Sequence, residues 1–187
     1  VVLAGLINAL KITNKNKSAK IVISGAGSAG LAIANLFSAY GLTNYFLCDS
    51  KGTISNERTD LNDYKKHSFE NSSAVCLAGS CENSLENADV LIGVSQPNQF
   101  SAESIRKMNN NAIVFALANP VPEIMPDEAK KGGATIIATG RSDFPNQLNN
   151  AIVFPGLFRG LLDNRIQKVT VEIKIAVAEA IASLVEN

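Results

Sequence analysis

The sequence predicts an α/β fold: a doubly wound, mostly parallel sheet with helices on both faces. Three observations predict it. Short apolar runs of strand length alternate with segments whose apolar residues recur at helical spacing. The runs are nearly continuous, as in strands buried on both faces: Ile21-Val-Ile, Tyr45-Phe-Leu-Cys and Ile113-Val-Phe-Ala-Leu. Polar, loop-forming residues follow these runs. Strands joined through helices form parallel pairs with right-handed crossovers, which wind a sheet in both directions.

The elements follow in order. Residues 1–12 read as a helix with an apolar stripe of Leu3, Leu6, Ile7 and Leu10. Strand 20–24, helix 28–40 and strand 45–48 come next. The segment 52–73 is polar, with one helix starting at Asp60, where Asp60 and Asp63 suit a first turn. Residues 74–78 read as a short strand and Ser84–Asn87 as a helical turn. Strand 89–93, helix 101–109 and strand 112–117 follow. Pro126 opens a helix with Asp127 and Glu128 in its first turn, and Gly132-Gly133 ends it. Strand 134–138 precedes two helical stretches, 156–163 and 169–185. Ile173, Val177, Ala180, Ile181 and Leu184 give the last one an apolar face.

The turn between the first strand and its helix is the most informative feature. Gly25, Gly27 and Gly30 stand in the spacing G-x-G-x-x-G, and the next strand ends in Asp49. The first glycine permits a tight turn, the second lets the backbone approach a pyrophosphate, and the third lets helix and strand pack closely. Phosphates would meet free N–H groups and the positive end of the helix dipole. A carboxylate at the second strand end accepts hydrogen bonds from a ribose diol. Strand, turn, helix, strand and acid together describe a Rossmann-like dinucleotide site.

In such sheets, ligands sit beyond the carboxyl ends of the strands. Those ends carry Asp49-Ser50-Lys51-Gly52, Val94-Ser95-Gln96-Pro97, Ala118-Asn119-Pro120 and Thr139-Gly140-Arg141-Ser142-Asp143. Each is an acceptable turn by itself; collected on one rim they suggest a ligand. Asp49 would repel a 2′-phosphate and favours NAD, whereas Ser50 and Lys51 would accept one, leaving NADP possible.

No Ser/His/Asp or Cys/His set stands out. His67, the only histidine, reads as a solvated helix residue. Arg141 and Asp143 read as a local ion pair, and Asp127 and Glu128 as helix-start charges. Seventeen basic and seventeen acidic residues cancel in a chain of 187, so nothing points to nucleic acid or a membrane surface. An apolar fraction of 46% suits a globular α/β domain. Cys48, Cys76 and Cys81 lack the spacing of a zinc site or a disulfide framework and read as reduced intracellular thiols. These features suggest a cytoplasmic protein. The chain opens on Val1, within a helix and without a cap, so it reads as a piece of a longer protein.

Several segments together resemble the nucleotide-binding domain of malic enzyme, of the shorter prokaryotic type. They are Val1-Val-Leu-Ala-Gly-Leu, Gly25-Ala-Gly-Ser-Ala-Gly, Cys48-Asp-Ser-Lys-Gly and Ala116-Leu-Ala-Asn-Pro-Val-Pro-Glu-Ile. Ala138-Thr-Gly-Arg-Ser-Asp-Phe-Pro-Asn-Gln and Asn149-Asn-Ala-Ile-Val-Phe-Pro-Gly complete the set. The resemblance runs nearly end to end. It implies one dinucleotide-binding domain over 1–187, with contacts at Gly25, Gly27, Ser28, Ala29, Asp49, Ser95 and Asn119. It places Asn119, Asn149 and Asn150 near the nicotinamide and the substrate carboxylate. It implies oxidation of malate, decarboxylation and protonation to pyruvate, with NAD or NADP and a divalent Mg or Mn. The lysine base, the tyrosine acid and the metal carboxylates of that family lie upstream of the segment matching Val1. This chain is therefore expected to hold no catalytic residue and no metal ligand, and the full-length protein to be a homo-oligomer, dimeric or higher. The alternatives are the cofactor domain of another two-domain dehydrogenase, of the amino-acid dehydrogenase type, and a dinucleotide-binding module without turnover.

Overall fold

The computed structural model describes residues 1–74 and 78–185. Its strands are β1 (Ile21–Ser24), β2 (Tyr45–Asp49), β3 (Gly52–Thr53), β4 (Val90–Gly93), β5 (Ala112–Ala116) and β6 (Ala134–Thr139). Its helices are α1 (Val2–Ile12), α2 (Ser28–Tyr40), α3 (Asp63–Glu70), α4 (Cys81–Ser84), α5 (Ala102–Arg106), α6 (Pro126–Lys131), α7 (Phe154–Asp163) and α8 (Val171–Ser183). The six strands form one sheet in the order β3-β2-β1-β4-β5-β6. All neighbours pair in parallel except β2 and β3. The order reverses between β1 and β4, so a crevice opens there beyond the strand ends.

Alternate residues of each strand feed two cores. Ile21, Ile23, Ile92 and Phe115 pack with Leu6, Phe37 and Ala178, from α1, α2 and α8. Val22, Leu91 and Val114 pack with Cys81, Ile105 and Ala129, from α4, α5 and α6. Burial on both faces explains why the strand segments read as unbroken apolar runs.

Most predicted elements are present with ends moved by a residue or two, within ordinary boundary scatter. Four readings change. The helix predicted from Asp60 begins at Asp63, because the Asn62 side chain accepts the Lys65 N–H at 3.0 Å and caps it there. The turn predicted over Ser84–Asn87 lies earlier, over Cys81–Ser84, capped by Ser80. β3 is a short antiparallel edge strand that the polar sequence around Thr53 concealed. In α8 the buried residues are Ala178 and Ala182, and Leu184 is 80% exposed. Alanines let α8 approach α1 closely, where Asn8 Nδ2 donates to the Ala182 carbonyl at 3.0 Å. The strand predicted over 74–78 falls largely outside the described residues.

Candidate functional site

The crevice at the switch point is bounded by the glycine turn, by Asp49, Ser50 and Lys65, and by the loop Val94–Gln99. Its volume of about 660 Å³ is that of a ligand site. The structure therefore brings Gly25, Gly27, Asp49, Ser50, Val94 and Ser95 to one cleft.

Space explains each glycine. Gly25 has φ +117°, and a Cβ there would stand 2.5 Å from the Val94 carbonyl oxygen. A Cβ on Gly30 would overlap the Gly25 carbonyl, so helix and turn interlock only through glycine. Gly27 differs: its φ is −85° and a Cβ would meet nothing within 4 Å. No protein atom requires glycine at this position. The open space lies at the N-terminus of α2, whose Gly27 cap offers no side-chain hydrogen bond. The exposed residues Ser28 and Ala29 present orphan N–H groups there. A dinucleotide pyrophosphate fits this cradle by charge and by room.

At the other end of the cleft, Asp49 is not a free carboxylate. Oδ1 accepts from the Lys51 N–H at 2.9 Å and from Arg58 Nη1 at 2.7 Å. Oδ2 accepts from Arg58 Nη2 at 3.1 Å and from Lys65 Nζ at 2.6 Å. Burial raises the Asp49 pKa, but these bonds outweigh it and hold the group at about 2. A carboxylate offers about four acceptor positions, so a ribose diol must displace a donor already in place. Asp49 therefore faces a ribose or a 2′-phosphate as part of an ion-paired cluster and not as a lone carboxylate. The Lys51 ammonium is not poised over the cleft either; it pairs with Asp60 at 2.6 Å. Arg58 and Lys65, which the sequence did not single out, are the cations that pair with Asp49, at 2.7 and 2.6 Å. They lie in the polar segment after β2, where Lys and Arg do not outnumber Asp and Glu, so charge alone did not mark them.

The β4 and β5 ends meet through a second group. Ser24 Oγ donates to Gln99 Oε1 at 2.9 Å, and Ser95 Oγ donates to the same oxygen. The Glu123 carboxylate accepts from the N–H groups of Ser95 at 2.7 Å and Ala118 at 3.0 Å. Gln99 and Glu123 were likewise not singled out from sequence, although Glu123 lies within the Ala-Asn-Pro-Val-Pro-Glu segment.

The remaining candidates separate. Asn119 is exposed on the β5 rim, outside the cleft. Ala29 and Asn150 line a neighbouring apolar cleft with Leu117 and Leu148, and Val94 borders both clefts. Asn149 caps a short 3₁₀ turn, its side chain accepting the Ala151 N–H at 2.9 Å. His67 is exposed on α3. Arg141 and Asp143 pair at 2.6 Å. Cys48 and Cys81 are free thiols, and Cys76 lies outside the described residues. Among the described residues, no group of three or more His, Cys, Asp or Glu could hold a metal ion. Nor is any described helix long and apolar enough to cross a membrane.

Residues 1–187 match a family model described as "Malic enzyme, NAD binding domain". The chain is 47% identical over its whole length to the bifunctional malic/malolactic enzyme of Bacillus subtilis (strain 168), covering 46% of that protein. It is 44% identical to the NADP-dependent malic enzyme of Rhizobium meliloti (strain 1021), over 98% of the chain and 24% of that protein. The solved malic enzyme of Pyrococcus horikoshii Ot3 superposes with a TM-score of 0.93 and 42% identity, over 99% of this chain and 45% of that one. The chain thus spans less than half the length of each of these relatives. An interlocked glycine turn, an open cradle and a match from end to end lead to one conclusion: the chain belongs to the malic enzyme family, as its NAD-binding domain.

Proposed function

We propose that this chain is the cofactor-binding domain of a two-domain malic enzyme that oxidatively decarboxylates malate to pyruvate and CO₂. The observation that carries this reading is the family match over every residue of the chain. When bound, the nicotinamide cofactor supplies the hydride acceptor, and a divalent Mg or Mn held by the rest of the polypeptide supplies Lewis acidity. This chain's own residues bind and orient. The N–H groups of Ser28 and Ala29 take the pyrophosphate over Gly27. Arg58, Lys65 and Asp49 take the ribose, in competition with their own ion pairs. Val94, Ser95 and Asn119 border the nicotinamide half, and Asn150 faces the substrate side.

Two features support an active site completed by a further domain. None of the cleft residues is an evident general base. In addition, α7 exposes Phe154, Phe158 and Leu162, which recur every fourth residue on one face, and only Leu161 of that helix is buried. The two rings stack with centroids 5.4 Å apart. The portion of the longer polypeptide that the relatives contain and this chain lacks is the occupant we assign to that face. A cytoplasmic location is the reading that three cysteines without zinc or disulfide-framework spacing favour. Self-association of the full-length protein rests on the family resemblance alone.

The test is turnover by the full-length polypeptide with Mg or Mn. Malate-dependent formation of reduced cofactor is expected, with cofactor binding but no turnover by residues 1–187 alone. Turnover of glutamate or leucine without turnover of malate would overturn the reading in favour of an amino-acid dehydrogenase.

A further inference from the structure

Glu123 is 0% exposed, and the other buried polar residues among those described are all Ser or Thr. No ion pair joins it among the described residues. A buried carboxylate without a cation is costly unless its oxygens are hydrogen-bonded. Both are: one oxygen accepts from Ser95, just after β4, and the other from Ala118, just after β5. Main-chain bonds reinforce the grip. The Asn98 N–H donates to the Pro122 carbonyl and the Phe100 N–H to the Glu123 carbonyl, each at 3.0 Å. Gly93 makes room, since a Cβ there would stand 2.5 Å from Glu123 Cδ.

The gripped loops are functional walls. Val94 and Ser95 pack directly against Gly25, where a Cβ would stand 3.3 Å from Ser95 Cβ. Ala118 leads into Asn119. A dinucleotide laid across the switch point with its adenosine over β2 places its nicotinamide half beyond β4 and β5. We infer that Glu123 is a positioning residue for the nicotinamide half of the cofactor, fixing the β4 and β5 loops at one spacing through a single buried carboxylate. Only a carboxylate suits the task. Glutamine offers one acceptor oxygen and turns an NH₂ donor toward the other N–H.

This inference rests on the cofactor reading above, and its test separates the two. In the full-length polypeptide, the affinities of NADH and of ADP are measured by calorimetry for wild type, Glu123→Gln and Gly93→Ala. ADP carries the adenosine and the pyrophosphate but no nicotinamide. Loss of one bond to a charged acceptor corresponds to roughly a tenfold or greater loss, so NADH affinity should fall by about that factor. ADP affinity should stay within about twofold, well under the tenfold that 1.4 kcal/mol represents. In the double variant Glu123→Gln with Gly93→Ala, the losses should be less than additive, because both substitutions act on the same carboxylate grip. Equal losses for NADH and ADP, or additive effects of the two substitutions, would overturn the inference. If Glu123→Gln does not fold, Gly93→Ala and Glu123→Asp read the same split. Failure of all three to fold would make Glu123 a structural staple and would also overturn it. Absence of NADH binding by wild type would instead sink the cofactor reading itself.

Discussion

Gly27→Ala separates binding from folding more sharply than any other change in this chain. Two small terms act on stability. Glycine to alanine at a position of negative φ gains about 0.4–1 kcal/mol by restricting the unfolded chain. Gly27 is also the N-cap of α2, and alanine is a poorer N-cap than glycine, which costs from a few tenths to about 1 kcal/mol. The φ of −85° suits alanine and the new Cβ meets nothing within 4 Å, so no clash adds to these terms. They nearly cancel. At about 2–4 °C per kcal/mol for a chain of this size, Tm should move by no more than a few degrees. The ligand side has no such cancellation. The methyl group occupies the space through which a pyrophosphate reaches the N–H groups of Ser28 and Ala29. Loss of one charge-assisted hydrogen bond, about 1.5–3 kcal/mol, weakens binding about tenfold to a hundredfold. Calorimetric titration with NAD and with NADP, beside a thermal melt, reads both quantities. Unchanged affinity, or a large drop in Tm with affinity preserved in the folded fraction, would refute the assignment of the cradle.

Other outcomes follow from the same geometry. Asp49→Ala frees Arg58 and Lys65 from their carboxylate, so kcat/KM should shift toward NADP over NAD by about tenfold, the scale of one charged hydrogen bond; a ratio that does not move would show that Asp49 does not read the ribose. The folded Asp49 is held at about 2, below its ordinary 3.8. Its stabilising contribution is therefore complete above the unfolded value and fades as pH falls from about 4 toward about 2. Melts of wild type and Asp49→Asn should converge on acidification over that window, and a constant gap would contradict the cluster. Asn149→Ala removes a cap and should lower stability by about 0.5–1 kcal/mol. Asn150→Ala should leave Tm unchanged and lower malate turnover in the full-length protein, and the reverse pattern would exchange their roles. Leu162→Glu, at a residue 74% exposed, should not alter the melting of residues 1–187 but should destabilise the full-length protein; no effect on either would leave the α7 face without its assigned occupant.

The central strands β1, β4 and β5 were legible because each is buried on both faces, and composition alone marks such a run. The glycine turn was legible because its three positions answer to sterics and ligand approach, which spacing records. The edge strand β3 was not, since two residues pairing at a sheet edge leave no periodic trace. The partners of Asp49 were hidden for a different reason. Arg58 and Lys65 reach it from a loop and from α3, and nothing local distinguishes them from other solvated cations. Glu123 was concealed by its type: a glutamate beside two prolines reads as a surface turn, and only the fold reveals that its two acceptors are buried. The Asn149–Asn150 pair divides between the two cases, one side chain capping a turn and the other lining a cleft.

The most direct test of the central claim is an experimental structure of the full-length polypeptide with a dinucleotide bound. The pyrophosphate is expected over Gly27, within hydrogen-bonding reach of the Ser28 and Ala29 N–H groups. The adenosine ribose is expected beside Asp49, Arg58 and Lys65, and the nicotinamide beyond Val94 and Ser95. A dinucleotide bound elsewhere, with the space over Gly27 filled by solvent, would contradict the claim.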